Sequence, residues 1–139
     1  QQSFLVDSLE LGKNLTRFVN YHVPMYSCCK SIEIDPQTFV YGMYHWIPSF
    51  DKYRVMTVFE NHVHAFKRTK ALRGNTPTEN GTVYVGDGNF GAFLDEKCTP
   101  DKTIALFEKI SSDNNLWLSI VDHKKVQHYA YNNSRVIMD

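Results

Sequence analysis

Residues 54–64 read Arg-Val-Met-Thr-Val-Phe-Glu-Asn-His-Val-His, an apolar run followed at once by two histidines. The run predicts a buried strand over residues 54–60. Residues i and i+2 share one face of a strand, so His62 and His64 can present two imidazoles to one small region. Neutral imidazole is a good ligand for zinc, iron and manganese. The pattern therefore favours a pair of metal ligands at a strand end, with a pair of surface loop histidines as the alternative.

A third histidine stands at the end of another predicted strand. Residues 17–22 read Arg-Phe-Val-Asn-Tyr-His, which favours a short strand. Pro24 lacks an amide hydrogen and biases Val23 towards extended geometry, so we expect this strand to end near His22. His22 would then add a ligand from a different part of the chain.

Length, composition and charge exclude several classes of protein. The chain has 139 residues, 42% of them hydrophobic, with 15 basic and 15 acidic residues and a formal net charge of zero. This size is typical of one domain that buries its own core, and the composition excludes global disorder. A balanced charge argues against a nucleic-acid partner, which would need excess Lys and Arg. Nothing approaches 18 consecutive apolar residues, so we expect no membrane span in this segment.

Apolar spacing predicts the remaining elements of a mixed α/β arrangement. The expected helices lie at residues 3–12, 43–53 and 101–111. The further strands lie at residues 81–86, 116–121 and 126–131. Residues 30–40 are expected to be irregular, and residues 69–81, with two glycines and a proline, to form a loop.

Four blocks of the sequence resemble the calcineurin-like metallophosphoesterases, in family order. Residues 59–68, Phe-Glu-Asn-His-Val-His-Ala-Phe-Lys-Arg, resemble the last metal block, and above all its purple acid phosphatase form, Gly-His-x-His-x-Tyr-x-Arg. Residues 21–26, Tyr-His-Val-Pro-Met-Tyr, are similar to the earlier block His-x-Pro-x-Tyr. Residues 45–53 resemble the helix that lies between these blocks, and residues 81–88 resemble the strand that follows.

The resemblance implies a fold and a position within it. The fold would be the C-terminal half of a four-layer α/β/β/α metallophosphoesterase sandwich, with a mixed sheet and flanking helices. Residues 1–139 would form the C-terminal part of the catalytic domain, and the N-terminal half of the same domain would be a partner. The chain begins Gln-Gln-Ser without an initiator Met, and we expect it to be a piece of a longer protein.

The resemblance also implies a metal-dependent phosphatase with two metal ions, which would be iron, zinc or manganese. His22 and His62 would bind one metal and His64 the other, and the substrate would be a phosphorylated molecule. His45, at the start of the predicted helix, would either protonate a leaving alkoxide or be a helix-start histidine bonded to backbone or solvent. The alternatives are a catalytically silent scaffold or binding subunit and a metal-independent binding module with incidental histidines.

Several positions depart from the family pattern. Asn61 stands where the family has Gly, and it would change the loop geometry or supply a side-chain contact. Phe66 replaces the Tyr of the pattern, Lys67 occupies a position that is often acidic, and Arg68 keeps the closing Arg. Lys67, Arg68 and Arg73 would form a solvated loop or attract a phosphorylated substrate.

The upstream blocks that supply the bridging carboxylates are not found before these motifs. Gly86-Asp87-Gly88 mimics one of them by spacing, but it follows the His-x-His, and we interpret Asp87 as a turn residue. We therefore expect the isolated chain to lack useful phosphatase turnover. His123 and His128, in the last predicted hairpin, are expected to lie on the surface.

Cysteines and glycosylation motifs bear on the compartment. Cys28, Cys29 and Cys98 are odd in number; one of the adjacent pair could bond to Cys98 or outside the chain, or all three could be thiols. Three Asn-x-Ser/Thr motifs, at Asn14, Asn80 and Asn132, favour the secretory pathway or the extracellular space.

Overall fold

The computed structural model describes residues 1–28, 36–87, 90–92, 104–122, 125–132 and 136–138. Its first part contains α1 (Gln2–Leu11), β1 (Phe18–Tyr21), α2 (Pro36–Tyr41), a π-helical turn (Gly42–Trp46) and α3 (Ile47–Lys52). It continues with β2 (Thr57–Glu60), β3 (Phe66–Thr69), β4 (Leu72–Arg73), β5 (Thr76–Pro77) and β6 (Val83–Asp87). A 3₁₀ turn (Ile104–Leu106) then precedes β7 (Phe107–Ser111), β8 (Leu116–Asp122), β9 (Lys125–Tyr131) and β10 (Val136–Met138).

Five strands form a mixed sheet in the order β1-β2-β6-β3-β7. The first three are parallel to one another, and β3 runs antiparallel to both of its neighbours. Parallel neighbours end at the same edge of a sheet, so the residues that follow β1 and β2 lie side by side. This edge carries the candidate site.

The five-stranded sheet is covered on both faces. On one face Tyr21 packs against the helical segment, with its ring centroid 5.4 Å from that of Trp46 and 6.2 Å from that of Phe50. On the other face lies a second, antiparallel sheet in the order β10-β9-β8. Trp117 of this sheet stacks on Phe66 at 5.0 Å, so the layers run helix, sheet, sheet. This α/β arrangement is the one expected for half of a four-layer sandwich.

The predicted helices at residues 3–12 and 43–53 are confirmed, although the second helical segment already starts at Pro36. Residues 36–40 are therefore helical, against the irregular structure expected at 30–40, of which residues 30–35 lie outside the described part. The π turn ends two residues before Pro48, which has no amide hydrogen to donate to the preceding turn.

The helix predicted at residues 101–111 is wrong over residues 107–111, and residues 104–106 form only a single 3₁₀ turn. Residues 107–111 form β7, which pairs with β3 and has a register shift opposite Arg68 and Thr69. The register skips one residue, so Phe107 and Ile110 face the same side although they are three apart. A β-bulge therefore produced the apolar spacing that resembles a helix. Residues 101–103 lie outside the described part.

Two further differences concern short strands after the histidines. The sequence pattern does not predict β3, because residues 65–68 belong to the metal motif and show no strand signal of their own. The expected loop at 69–81 contains a small hairpin, β4 with β5. Its turn residues Gly74 and Asn75 have φ values of 55° and 61°, and Gly and Asn tolerate this left-handed region best.

The structure describes only some of the cysteines and glycosylation motifs. Cys28 is buried, whereas Cys29 and Cys98 lie outside the described residues, so their pairing stays a prediction. Asn14 and Asn80 are exposed. Across the described ranges, no helix combines the length and apolar character needed to cross a membrane.

Candidate metal centre

His22 and His62 lie side by side at the edge where β1 and β2 end. Tyr21 and Glu60 are register partners, so the two histidines follow their strands by one and two residues. His62 Nδ1 lies 3.0 Å from His22 Nε2, and the ring planes meet at 76° with centroids 4.9 Å apart. Both side chains are exposed, so solvent and solutes can reach the facing nitrogens.

Asn61, which directly follows β2, joins the loops that carry His22 and His62. Its side-chain amide donates to the Asn20 side-chain oxygen at 3.0 Å and to the Tyr21 carbonyl at 3.1 Å. Its backbone amide donates to the His22 carbonyl at 3.1 Å. His62 itself has a φ of 62°, a left-handed conformation that is uncommon for a residue with a side chain and turns the chain sharply after β2. The predicted side-chain contact of Asn61 is thus present.

The separation of the two nitrogens suits a shared metal ion. Zinc lies about 2.0–2.1 Å from histidine nitrogen, so two ligands at octahedral or tetrahedral angles stand about 2.8–3.4 Å apart. The observed 3.0 Å falls within this range, and it equally fits one hydrogen bond between the rings. The donor set of His22 and His62 therefore fits one metal ion.

The other predicted site residues are less closely assembled. His64 is half-buried, two residues beyond His62, and Val63 between them is buried in the core. In the described part of the chain, no three His, Cys, Asp or Glu side chains form a group that could hold a metal. The assignment of His64 to a second metal stays a prediction.

His45 lies on the π turn with an exposed side chain. Its ring packs against that of Tyr41, with centroids 4.4 Å apart at an angle of 41°. Its carbonyl accepts a hydrogen bond from Ser49 Oγ at 3.0 Å, which fixes the backbone of the turn. A catalytic role for His45 stays a prediction.

A buried ion pair lies next to the two histidine loops. Glu60 and Lys67 have fully buried side chains, and Lys67 Nζ lies 2.5 Å from Glu60 Oε2. Lys67 is therefore neither a solvated loop residue nor a substrate contact, which corrects both expectations for it. Arg68 is half-buried, and exposed Arg73 donates to the Asn80 carbonyl at 2.7 Å.

Burial also changes the proton affinity of the phenols near this pair. It raises the pKa of Tyr21 well above its usual range, and the adjacent Glu60 carboxylate adds to the rise. Burial likewise raises the pKa of Tyr26 and of Tyr84. These phenols are neutral around pH 7, so Tyr21 is available as a hydrogen-bond donor.

His128 is half-buried between the two sheets, which corrects its expected place on the surface. Its Nε2 lies 3.0 Å from Thr57 Oγ1 and its Nδ1 lies 2.9 Å from Ser119 Oγ. Burial lowers the pKa of the His128 imidazole, and the positive charge of Arg68 adds to this effect. His128 therefore links the sheets and is remote from the candidate metal ligands. His123 lies outside the described residues.

Comparison with solved structures identifies the fold. The structure of purple acid phosphatase PPD1 from yellow lupin (Lupinus luteus) seeds matches 99% of this chain with a TM-score of 0.82 at 19% sequence identity. The chain has a calcineurin-like metallophosphoesterase fold. GAP50, described as the anchor in the inner membrane complex of Plasmodium, shares this metallophosphoesterase fold over 98% of the chain, with a TM-score of 0.74 and 15% identity.

The chain spans only part of both metallophosphoesterase-fold structures, 27% of the lupin phosphatase and 39% of GAP50. No family model and no curated protein matches the sequence. These likenesses establish the fold alone. The activity, the metal content and the partners of the protein are proposals.

Sequence patterns missed the polar residues next to the histidines. Glu60 and Lys67 read as charged strand-end residues, which are usually solvated. One signal was available in the sequence. Glu60 lies two residues after the core residue Val58 on β2, so both side chains point to the same, buried side of the strand.

Proposed function

We propose that this chain supplies the histidine ligands of a dinuclear metal centre in a metal-dependent phosphatase. The supporting observation is the facing pair of His22 and His62 at adjacent parallel strand ends, 3.0 Å apart, in a chain with a metallophosphoesterase fold. Similarity to a purple acid phosphatase adds the reaction class, hydrolysis of a phosphoric ester.

In this proposal His22 Nε2 and His62 Nδ1 bind one metal ion and His64 contributes to a second. The metals would be iron, zinc or manganese, which imidazole and carboxylate ligands suit alike. When bound, two metal ions polarise the phosphoryl group and lower the pKa of the attacking water. His45 holds the proton that is delivered to the leaving alkoxide.

The N-terminal half of the same domain is the proposed partner that supplies the carboxylate ligands. Carboxylates neutralise and bridge paired cations, so we expect no useful hydrolysis of p-nitrophenyl phosphate by the 139-residue chain alone. Metal-dependent turnover by the purified chain would contradict this division of labour. The Asn-x-Ser/Thr motifs favour a secreted or extracellular location for the whole protein.

Zinc titration of the chain by isothermal calorimetry tests the ligand pair. We expect one weakly bound Zn²⁺, with affinity at least tenfold lower in His22→Ala and in His62→Ala, because each change removes one of two protein ligands. His45→Ala is the matched control, since His45 is an exposed histidine outside the pair. The zinc affinity of this variant should equal that of the unchanged chain. Equal zinc affinity in all variants would refute the assignment.

A non-enzymatic scaffold is the second candidate, favoured by one observation, the likeness to the anchor protein GAP50. A scaffold does not require metal ligands. It would therefore bind no zinc in the same titration, and His22→Ala and His62→Ala would leave its other properties unchanged.

A further inference from the structure

We propose that the buried Glu60–Lys67 pair is a positioning unit that holds His22 and His62 in their facing arrangement. The proposal rests on the proposed function in one respect, that the facing histidines are the metal ligands. The unit itself touches neither metal nor substrate. It acts through the chain segments that flank the ligands.

Glu60 holds the chain before and after His22. Its Oε1 accepts hydrogen bonds from the Tyr21 hydroxyl at 2.6 Å and from the Met25 amide at 2.7 Å, with the Tyr26 amide at 3.4 Å. Tyr21 directly precedes His22, and Met25 follows it by three residues. One carboxylate oxygen thus fixes both flanks of the His22 loop, while Glu60 itself ends β2 two residues before His62.

Lys67 completes the unit from the other side of the His62 loop. Its Nζ donates to Glu60 Oε2 and to the Tyr26 carbonyl. Lys67 lies on β3, so the Glu60–Lys67 contact joins the two ends of the segment that carries both His62 and His64. Three chain segments therefore meet at one ion pair: the ends of β2 and β1 and the start of β3.

The neighbouring strand leaves space for this arrangement at Gly86. A Cβ placed on Gly86 would lie 2.6 Å from Lys67 Cε and 2.8 Å from its Cγ. Gly86 is the register partner of both Glu60 and Lys67. The Lys67 side chain can cross β6 only because this position has no side chain.

The pair serves to hold the His22 and His62 loops in position rather than to raise the free energy of unfolding. Replacing a buried ion pair with well-packed apolar residues is often neutral or stabilising, so the pair itself is weak evidence for stability. An apolar replacement would, however, leave the Met25 amide and the Tyr21 hydroxyl without the acceptor that fixes them. The expected loss is the position of the loops.

Two double variants separate hydrogen bonding from packing. Glu60→Leu/Lys67→Met fills the space without polar atoms. Glu60→Gln/Lys67→Gln can make the same number of hydrogen bonds without charge, with the bond between residues 60 and 67 reversed in direction. The amide at 60 can accept from Tyr21 and donate to the amide at 67, which can donate to the Tyr26 carbonyl. Glu10→Gln/Lys13→Met is the matched control, since Glu10 and Lys13 form an exposed ion pair at 3.2 Å.

The readouts are nuclear Overhauser contacts between the His22 and His62 rings in metal-free protein and Zn²⁺ affinity by calorimetry. We expect the Leu/Met variant to fold, to lose the ring contacts and to bind Zn²⁺ at least tenfold more weakly. The Gln/Gln variant and the surface control should keep the ring contacts and an affinity within threefold. A folded Leu/Met variant with intact ring contacts overturns the proposal.

Two further outcomes are informative. Loss of ring contacts in the Leu/Met variant, when no form binds Zn²⁺, supports the positioning unit and refutes the proposed metal site. If the Leu/Met variant does not fold, Glu60→Gln decides, because its amide group faces the Lys67 ammonium, donor against donor. Weakened ring contacts in that variant support the unit, and unchanged ring contacts overturn it.

Discussion

Gly86→Ala should destabilise the chain by about 3 kcal/mol, because a methyl group at this position collides with the buried ion pair. The added Cβ would lie 2.6 Å from Lys67 Cε and 2.9 Å from the Glu60 carbonyl oxygen. Overpacking of a filled core costs about 1–3 kcal/mol. If Lys67 swings away and leaves Glu60 unpaired, the cost rises towards about 3–5 kcal/mol, which is the range for breaking a buried pair. The backbone carbonyl of Glu60 cannot move aside as a flexible side chain can. We therefore do not expect a cost at the lower end of the overpacking range.

Urea unfolding followed by tryptophan fluorescence measures this cost, with Gly12→Ala as the control. A Cβ on Gly12 meets its nearest atom, the Ser8 carbonyl oxygen, at 3.5 Å, which is ordinary contact, and φ there is −84°. The control should therefore change the free energy of unfolding by less than about 0.5 kcal/mol. A loss of less than about 1 kcal/mol in Gly86→Ala would show that Lys67 is not held against this glycine.

Three further changes test other parts of the structure. Burial lowers the pKa of His128, so the neutral imidazole stabilises the fold above its unfolded pKa of about 6.5, and this stability is lost as the pH falls towards the folded pKa. His128→Gln should therefore reduce the loss of unfolding free energy on acidification in a series of urea-unfolding curves. Tyr21→Phe keeps the ring packing but removes the hydrogen bond to the Glu60 carboxylate, and it should cost about 1.5–3 kcal/mol by urea unfolding; an unchanged midpoint would contradict the bond. Arg54 has a φ of 51°, so Arg54→Gly should cost nothing or stabilise the chain by up to about 1 kcal/mol, and a large loss of thermal stability would argue against that strain.

Local sequence patterns are sufficient to predict those elements whose structure is determined by their own residues. The strands that end before His22 and His62 were evident from apolar, β-branched runs, and Pro24 marked the end of the first. β7 could not be found in this way, because a bulge opposite β3 places Phe107 and Ile110 on one face at helical spacing. Pairing partners far along the chain decide such a case, and periodicity within one window does not contain them.

The candidate site shows the same division. Two histidines at neighbouring strand ends were predictable, because parallel strands bring their ends to one edge of a sheet. The contact between Glu60 and Lys67 was not, since it depends on the β2–β6–β3 register and on the missing side chain at Gly86. The two charges lie on different strands, β2 and β3, with a turn between them, so no periodicity within one helix or strand brings them together.

The buried pair also bears on the choice between an enzyme and a scaffold. Lys67 lies directly against Glu60, and both side chains are fully buried. A protein under selection for stability alone can fill such a position with apolar side chains at equal or lower free energy. Placing opposite charges and four hydrogen-bonded groups next to two facing histidines is instead what fixing a ligand geometry requires. On the proposed function the pair serves to hold the two ligands, and Zn²⁺ titration of the Leu/Met and Gln/Gln double variants tests that link.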